Sequence, residues 1–250
     1  EQLDGEAVVS VRDLDRVLDD VQVPDGVRIE PNEILRLLDR GRFEQAAKCL
    51  SAYAQDESVP IALARAKLAT GRGELEHALR ELKRIEPQLE GSDNEQIALW
   101  HVLKARAHLR SGDYDEAEMH ANVALTRMGA SLLGELTSTS GPSSMSMPLA
   151  PMVADALAIC GITQSLSARH EAATRTLQRS VDVARSSKDD RMMAVALGSL
   201  AFALQRNDKL DEAQAAHEEA LTHAERAGDA GHIATTRLNL VSIAKQRGDI

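Results

Sequence analysis

At 250 residues, 43% apolar and 27% charged, the chain has the composition of an ordinary soluble protein. Its formal net charge is −10, and residues 1–40 hold 11 acids against 5 bases. Such a surface argues against direct nucleic-acid binding, because affinity there rests on neutralising phosphates. Two distant cysteines, Cys49 and Cys160, offer neither a disulfide framework nor a zinc spacing.

Aromatic residues are confined to Phe43, Tyr53, Trp100, Tyr114 and Phe202. Ala and Leu must therefore fill the interior, which suits close helix–helix contact better than a sandwich or barrel. In residues 1–29, Val8, Val9 and Val11 precede a short helix start at Asp13–Leu18, and Pro24-Asp-Gly26 reads as a turn. This acidic stretch is expected to be a linker or the end of an upstream domain.

From residue 30 onward one layout recurs. Gly41-Arg-Phe-Glu-Gln-Ala46, Gly73-Glu-Leu-Glu-His-Ala78, Gly112-Asp-Tyr-Asp-Glu-Ala117, Ala168-Arg-His-Glu-Ala-Ala173 and Asp208-Lys-Leu-Asp-Glu-Ala213 each have a turn residue and an alanine five later. In most copies an apolar residue stands two after the turn residue. A sixth copy begins at Gly248. The alanines are 32, 39, 56 and 40 residues apart, so an internal repeat organises the chain. Around each turn the apolar residues keep helical spacing. Leu197, Leu200, Ala201 and Leu204 precede Asp208, and Ala213, His217, Ala220 and Leu221 follow it. Each half is an amphipathic helix with one stripe to hide, and small residues at Gly161 and Ala173, or Ala201 and Ala213, let the halves approach.

The expected fold is all-α: a right-handed superhelical array of antiparallel helix pairs, about five and a half repeats long. Residues 30–130 hold repeats one to three and residues 151–250 hold repeats four to six, the last truncated. Between them, 131–150 is expected to be a flexible loop, because its Ser, Thr, Gly, Pro and Met residues bury little apolar surface. Leu136 to Ala154 is 19 residues without a charge, but its seven Ser/Thr and its prolines rule it out as a membrane span.

The layout resembles the tetratricopeptide repeat (TPR) family. Leu157, Cys160-Gly161 and Gln164, then Ala173, Leu177 and Ser180, fit one copy. Asn239-Leu240-Val241 with Gly248-Asp249 fits the start of another, and Leu82 and Ile85, or Ala121 and Ala124, fit helix B of two more. The resemblance covers roughly residues 30–250. The later copies run 40 residues rather than the family's ~34, as in the repeats of bacterial signalling regulators, and the family's aromatic positions are mostly Leu, Ala, His or Gln. Separately, Asp4-Gly-Glu-Ala-Val-Val-Ser-Val-Arg-Asp-Leu14, within residues 4–18, resembles the lid end of the AAA+ domain of sigma-54 activators.

No Walker A loop, Gly-x-Ser-x-Gly elbow or His-Glu-x-x-His helix is present, so no catalytic residue, cofactor or bound metal is expected. Asp113, Asp115 and Glu116 read as acids at a positive helix start. His101 and His108 share a helical face, with His120 on the next helix; interface packing is the expectation, with metal ligation as the alternative. Cys49 and Cys160 are expected to be buried small hydrophobes.

What the TPR resemblance implies is a groove lined by the A helices. By register it places Arg106 and Arg110, then Phe202, Gln205 and Arg206, then Leu238, Asn239, Ser242 and Lys245 along it. Arginines and an amide there would grip a peptide's carboxylate or backbone. The expected function is a non-catalytic protein- or peptide-binding scaffold within a larger cytosolic regulator. The alternative is a peptide- or ligand-sensing domain of a bacterial signalling or transcriptional regulator, attached to an upstream AAA+ ATPase. Nucleic acid and membrane insertion are not expected. The open half-repeat is expected to leave Leu238, Leu240, Ile243 and Ile250 uncovered, so that the chain frays after about Gly231 or self-associates there.

Overall fold

The computed structural model describes residues 29–137 and 149–249; for residues 130–137 it describes the helical backbone alone. Among the described residues there are eleven α-helices and no strand. They form two compact units, residues 1–96 and 97–250.

The first unit contains α1 (Pro31–Asp39), α2 (Phe43–Ser51), α3 (Val59–Arg72) and α4 (Leu75–Ile85), followed by a 3₁₀ segment at Glu86–Gly91. Ile34, Ile61, Leu63, Leu82 and Ile85 are its fully buried large side chains. A Cβ at Gly71 would lie 2.4 Å from Phe43 Cε1, so the phenyl ring of Phe43 seats on α3 over the bare glycine. Lys67 on α3 pairs with Asp39 on α1 at 2.5 Å, and the Tyr53 hydroxyl donates to the Ile29 carbonyl at 2.7 Å.

The second unit contains α5 (Asn94–Ser111), α6 (Tyr114–Thr137), α7 (Leu149–Leu166), α8 (His170–Ser187), α9 (Asp190–Arg206), α10 (Leu210–Arg226) and α11 (Ala230–Arg247). From α6 onward each helix packs on its chain neighbour, and α7, α9 and α11 also touch in succession. Leu177, Val181, Leu197, Leu200, Leu204 and Ile243 form the shared core with alanines between them. α7 is long and apolar enough to cross a membrane by composition, but it packs against α6, α8 and α9 as a core helix.

The six expected turn residues all adopt the left-handed conformation: Gly41, Gly73, Gly112, Ala168, Asp208 and Gly248, with φ between 59° and 83°. Each closes its helix in the same way. At Gly41, its own N–H donates to Leu38 O (3.0 Å) and the Arg42 N–H to Leu37 O (2.9 Å), which satisfies the last orphan carbonyls. The repeat alanines Ala46, Ala78, Ala117, Ala173 and Ala213 are all wholly buried. The layout is therefore a helix-closing residue followed by the point of closest helix contact.

Three expectations change. α6 continues to Thr137 and α7 begins at Leu149, so of the loop expected at 131–150 only residues 138–148 lie outside the described residues. The chain divides between residues 96 and 97 rather than at that loop, because α6 packs directly on α7 and joins the third pair to the later ones. α11 is a closed helix, capped by Asp229, whose carboxylate accepts from the His232 N–H (3.0 Å), and by left-handed Gly248. Ile243, expected to be uncovered, is buried in the core. Residues 4–18 and Ile250 lie outside the described residues.

Candidate functional site

The A helices of the second unit, α5, α7, α9 and α11, lie side by side, and the residues expected to line a groove are what join them. Arg106 on α5 pairs with Asp155 on α7 at 2.5 Å. Arg206 on α9 donates through Nε to the Ser165 carbonyl at the end of α7, at 3.4 Å. Gln205 Nε2 on α9 donates to Ser242 Oγ on α11, at 3.2 Å. Four expected residues thus take part in the bonds that join these helices in series along one side.

What remains presented on that side is chiefly cationic and apolar. Arg110 and Arg206 are exposed. The Arg206 guanidinium lies 5.8 Å from the Phe202 ring centroid, at cation–π range. Burial, and then the like charge of Arg106, pull the Arg110 guanidinium below its ordinary value. On α11, Leu238 is 70% and Val241 45% exposed, Asn239 is half-buried, and Lys245 is exposed with no ion pair among the described residues.

Sequence reasoning missed the partners on α7. Asp155 is the one charged residue of that helix, and an isolated carboxylate in an apolar helix is a signal that was there to read. It also missed Glu118 on α6, which accepts from Arg169 and from Gln164 Nε2 (3.3 Å), while Gln164 Oε1 accepts from Thr176 (2.9 Å). The Arg169 hydrogen bond holds the Glu118 carboxyl below the usual range. This network ties α6, α7 and α8 together. Leu240 is half-buried and Ile243 buried, so the uncovered apolar patch on α11 reduces to Leu238 and Val241.

A second polar cluster lies between α5 and α6. His101 Nδ1 and His120 Nδ1 are 2.8 Å apart, the rings of His108 and His120 stack at 5.7 Å, and Trp100 meets His120 edge-on at 5.7 Å. Burial first, then His101, Lys104 and His108, push the His120 imidazole down to about 4. Cys49 and Cys160 are free and buried; burial, and then Glu118, push the Cys160 thiol up to about 12, which leaves it inert as a nucleophile.

No family model matches the chain, and no curated protein matches its sequence. Among solved structures it is similar to a Rap protein complexed with competence and sporulation factor, with a TM-score of 0.67 and 14% identity over 95% of this chain. It spans 65% of that protein's length. It is also similar to BtubC (BKLC) from P. vanneervenii, with a TM-score of 0.54 and 18% identity, covering 88% of this chain and 84% of that one. These likenesses show the fold, a TPR-type array of helix pairs, and no more. The comparisons give no support to the AAA+ resemblance of residues 4–18.

Proposed function

We propose that this protein is a non-catalytic, cytoplasmic binding module of a bacterial regulator, and that its partner is a peptide or protein segment carrying a carboxylate. The observation that carries this reading is the series of bonds that joins α5, α7, α9 and α11 along one side. Arg106, Gln205 and Arg206 make those bonds, and Arg110, Arg206 and Lys245 present positive charge on an otherwise acidic chain. An extended ligand laid across these helices would meet guanidiniums for its carboxylate, the Asn239 amide for its backbone, and Leu238 for an apolar side chain.

A displayed random-peptide library provides the probe. Selected peptides should be enriched in Asp or Glu, and Arg110→Ala or Arg206→Ala should each weaken a selected peptide about tenfold in calorimetry, the scale of a lost charge-assisted hydrogen bond, with melting unchanged for Arg110→Ala and slightly lowered for Arg206→Ala, which also loses its bond to the Ser165 carbonyl. Affinity that survives both substitutions together with Asn239→Ala and Lys245→Ala would refute the groove.

A second reading, a ligand-sensing domain that controls an attached effector, draws support from the likeness to a Rap protein in complex with competence and sporulation factor. Under it, hydrogen exchange should slow on peptide binding at helices away from the bound face as well as on it. Protection confined to the face would leave the plain scaffold.

A further inference from the structure

The cluster between α5 and α6 has a use that helix packing does not require. His108, Glu116 and His120 each offer one ligand atom, and these atoms all lie within 4.8 Å of one another. Glu116 and His120 are one helical turn apart on α6, with Glu116 Oε2 lying 3.8 Å from His120 Nε2; His108 reaches in from α5. We propose that His108, Glu116 and His120 form a divalent-cation site of zinc type that clamps α5 to α6, with His101 holding His120 from behind.

The donor set is two imidazoles and a carboxylate, which suits zinc with one coordination position left open to solvent. Zinc bonds of ~2.1 Å in a tetrahedron put donors about 3.4 Å apart, so the three side chains must draw in by about an ångström. Glu116 is half exposed and His108 a quarter exposed, so both have freedom to close, whereas His120 is 8% exposed and provides the fixed point. The second layer is already in place. The Nδ1–Nδ1 contact of 2.8 Å requires one ring to donate to the other; with the proton on His120 Nδ1, His101 accepts and His120 Nε2 offers its lone pair on the Glu116 side. Asp113 Oδ2 lies 3.4 Å from His108 Nδ1, which favours the proton there and leaves Nε2 for the ion. Lys104, whose ammonium sits 4.3 Å from the Trp100 ring centroid, opposes the cation, and the Asp113 and Glu116 carboxylates offset it.

The test is a zinc titration of chelator-treated, buffer-exchanged full chain by calorimetry near neutral pH. One equivalent should bind with micromolar or tighter affinity. His108→Ala and Glu116→Gln, both at solvent-accessible positions where the fold tolerates change, should each weaken binding by about tenfold or more. His77→Ala and His232→Ala, histidines outside the cluster, should leave it unchanged. Zinc should also raise the melting temperature of the parent chain but not of His108→Ala. Binding below one equivalent, or one-equivalent binding that persists in both His108→Ala and Glu116→Gln, or an equal loss with His77→Ala, overturns the site.

Discussion

Substituting Gly161 with alanine tests whether close helix approach, rather than generic apolar burial, holds the fourth repeat together. A Cβ at Gly161 would fall 2.3 Å from Leu177 Cγ, 2.7 Å from Cδ2 and 3.0 Å from Cδ1. Apolar carbons rest at about 3.5–4.0 Å, so the new methyl group overlaps the branch point of Leu177 by more than an ångström. Leu177 is wholly buried and its branch point is close to the backbone, so α7 and α8 must separate or Leu177 must leave its rotamer. Overpacking of this kind costs about 1–3 kcal/mol, while replacing a mid-helix glycine returns at most ~1 kcal/mol of propensity. Gly161→Ala should therefore destabilise by about 1–2 kcal/mol. Gly198, in mid-α9, is the control. A Cβ there meets nothing within 4 Å, so Gly198→Ala should stabilise by about 0.5–1 kcal/mol. The assay is urea denaturation followed by far-UV circular dichroism, with Leu177→Ala completing a double-mutant cycle. Leu177→Ala alone should cost about 2–5 kcal/mol, and the Gly161→Ala/Leu177→Ala pair should cost less than the sum, since the methyl group then occupies vacated space. Equal signs for the two glycines, or additive Gly161 and Leu177 effects, would refute the close-approach argument.

Three further outcomes follow from the turns, the core and the last helix. Gly112 is left-handed at φ 83° with nothing near its Cβ position, so Gly112→Ala should cost about 1 kcal/mol from the backbone alone, whereas left-handed Ala168 should gain up to about that much as Ala168→Gly in the same urea assay. His217 is wholly buried, neither ring nitrogen has a hydrogen-bond partner among the described residues, and burial lowers its pKa. The unfolded chain then binds the extra proton, so stability from neutral His217 is complete above about pH 6.5 and is lost as pH falls below it. His217→Leu should flatten that acid limb in urea titrations run with chelator, and a limb of unchanged slope would refute the role. Finally, Leu238→Lys with Val241→Lys should abolish any concentration-dependent self-association seen by sedimentation, without lowering the melting temperature; association that persists would exclude this patch.

The local grammar of the repeat was legible in the sequence because it is set by short-range physics. A residue that closes a helix in the left-handed region must be Gly, or one that tolerates the strain, and it must stand a fixed distance before the alanine where two helices touch. Hence all six turns and all five buried alanines were readable from spacing. The left-handed residues between pairs, Lys188 and Gly228, escaped because no fixed partner marks them. Tertiary structure decided the rest. Whether Arg106 meets Asp155, Gln205 meets Ser242, or Glu116 joins His108 and His120 depends on how one helix is rotated against another. That rotation comes from the packing of many side chains and has no signature in any one helix. The same holds for the division before residue 97 and for the burial of Ile243. The sequence determined by itself that the chain folds into helix pairs and where each pair turns; only the packing of those pairs decided which charges pair off within the fold and which face outward to a partner.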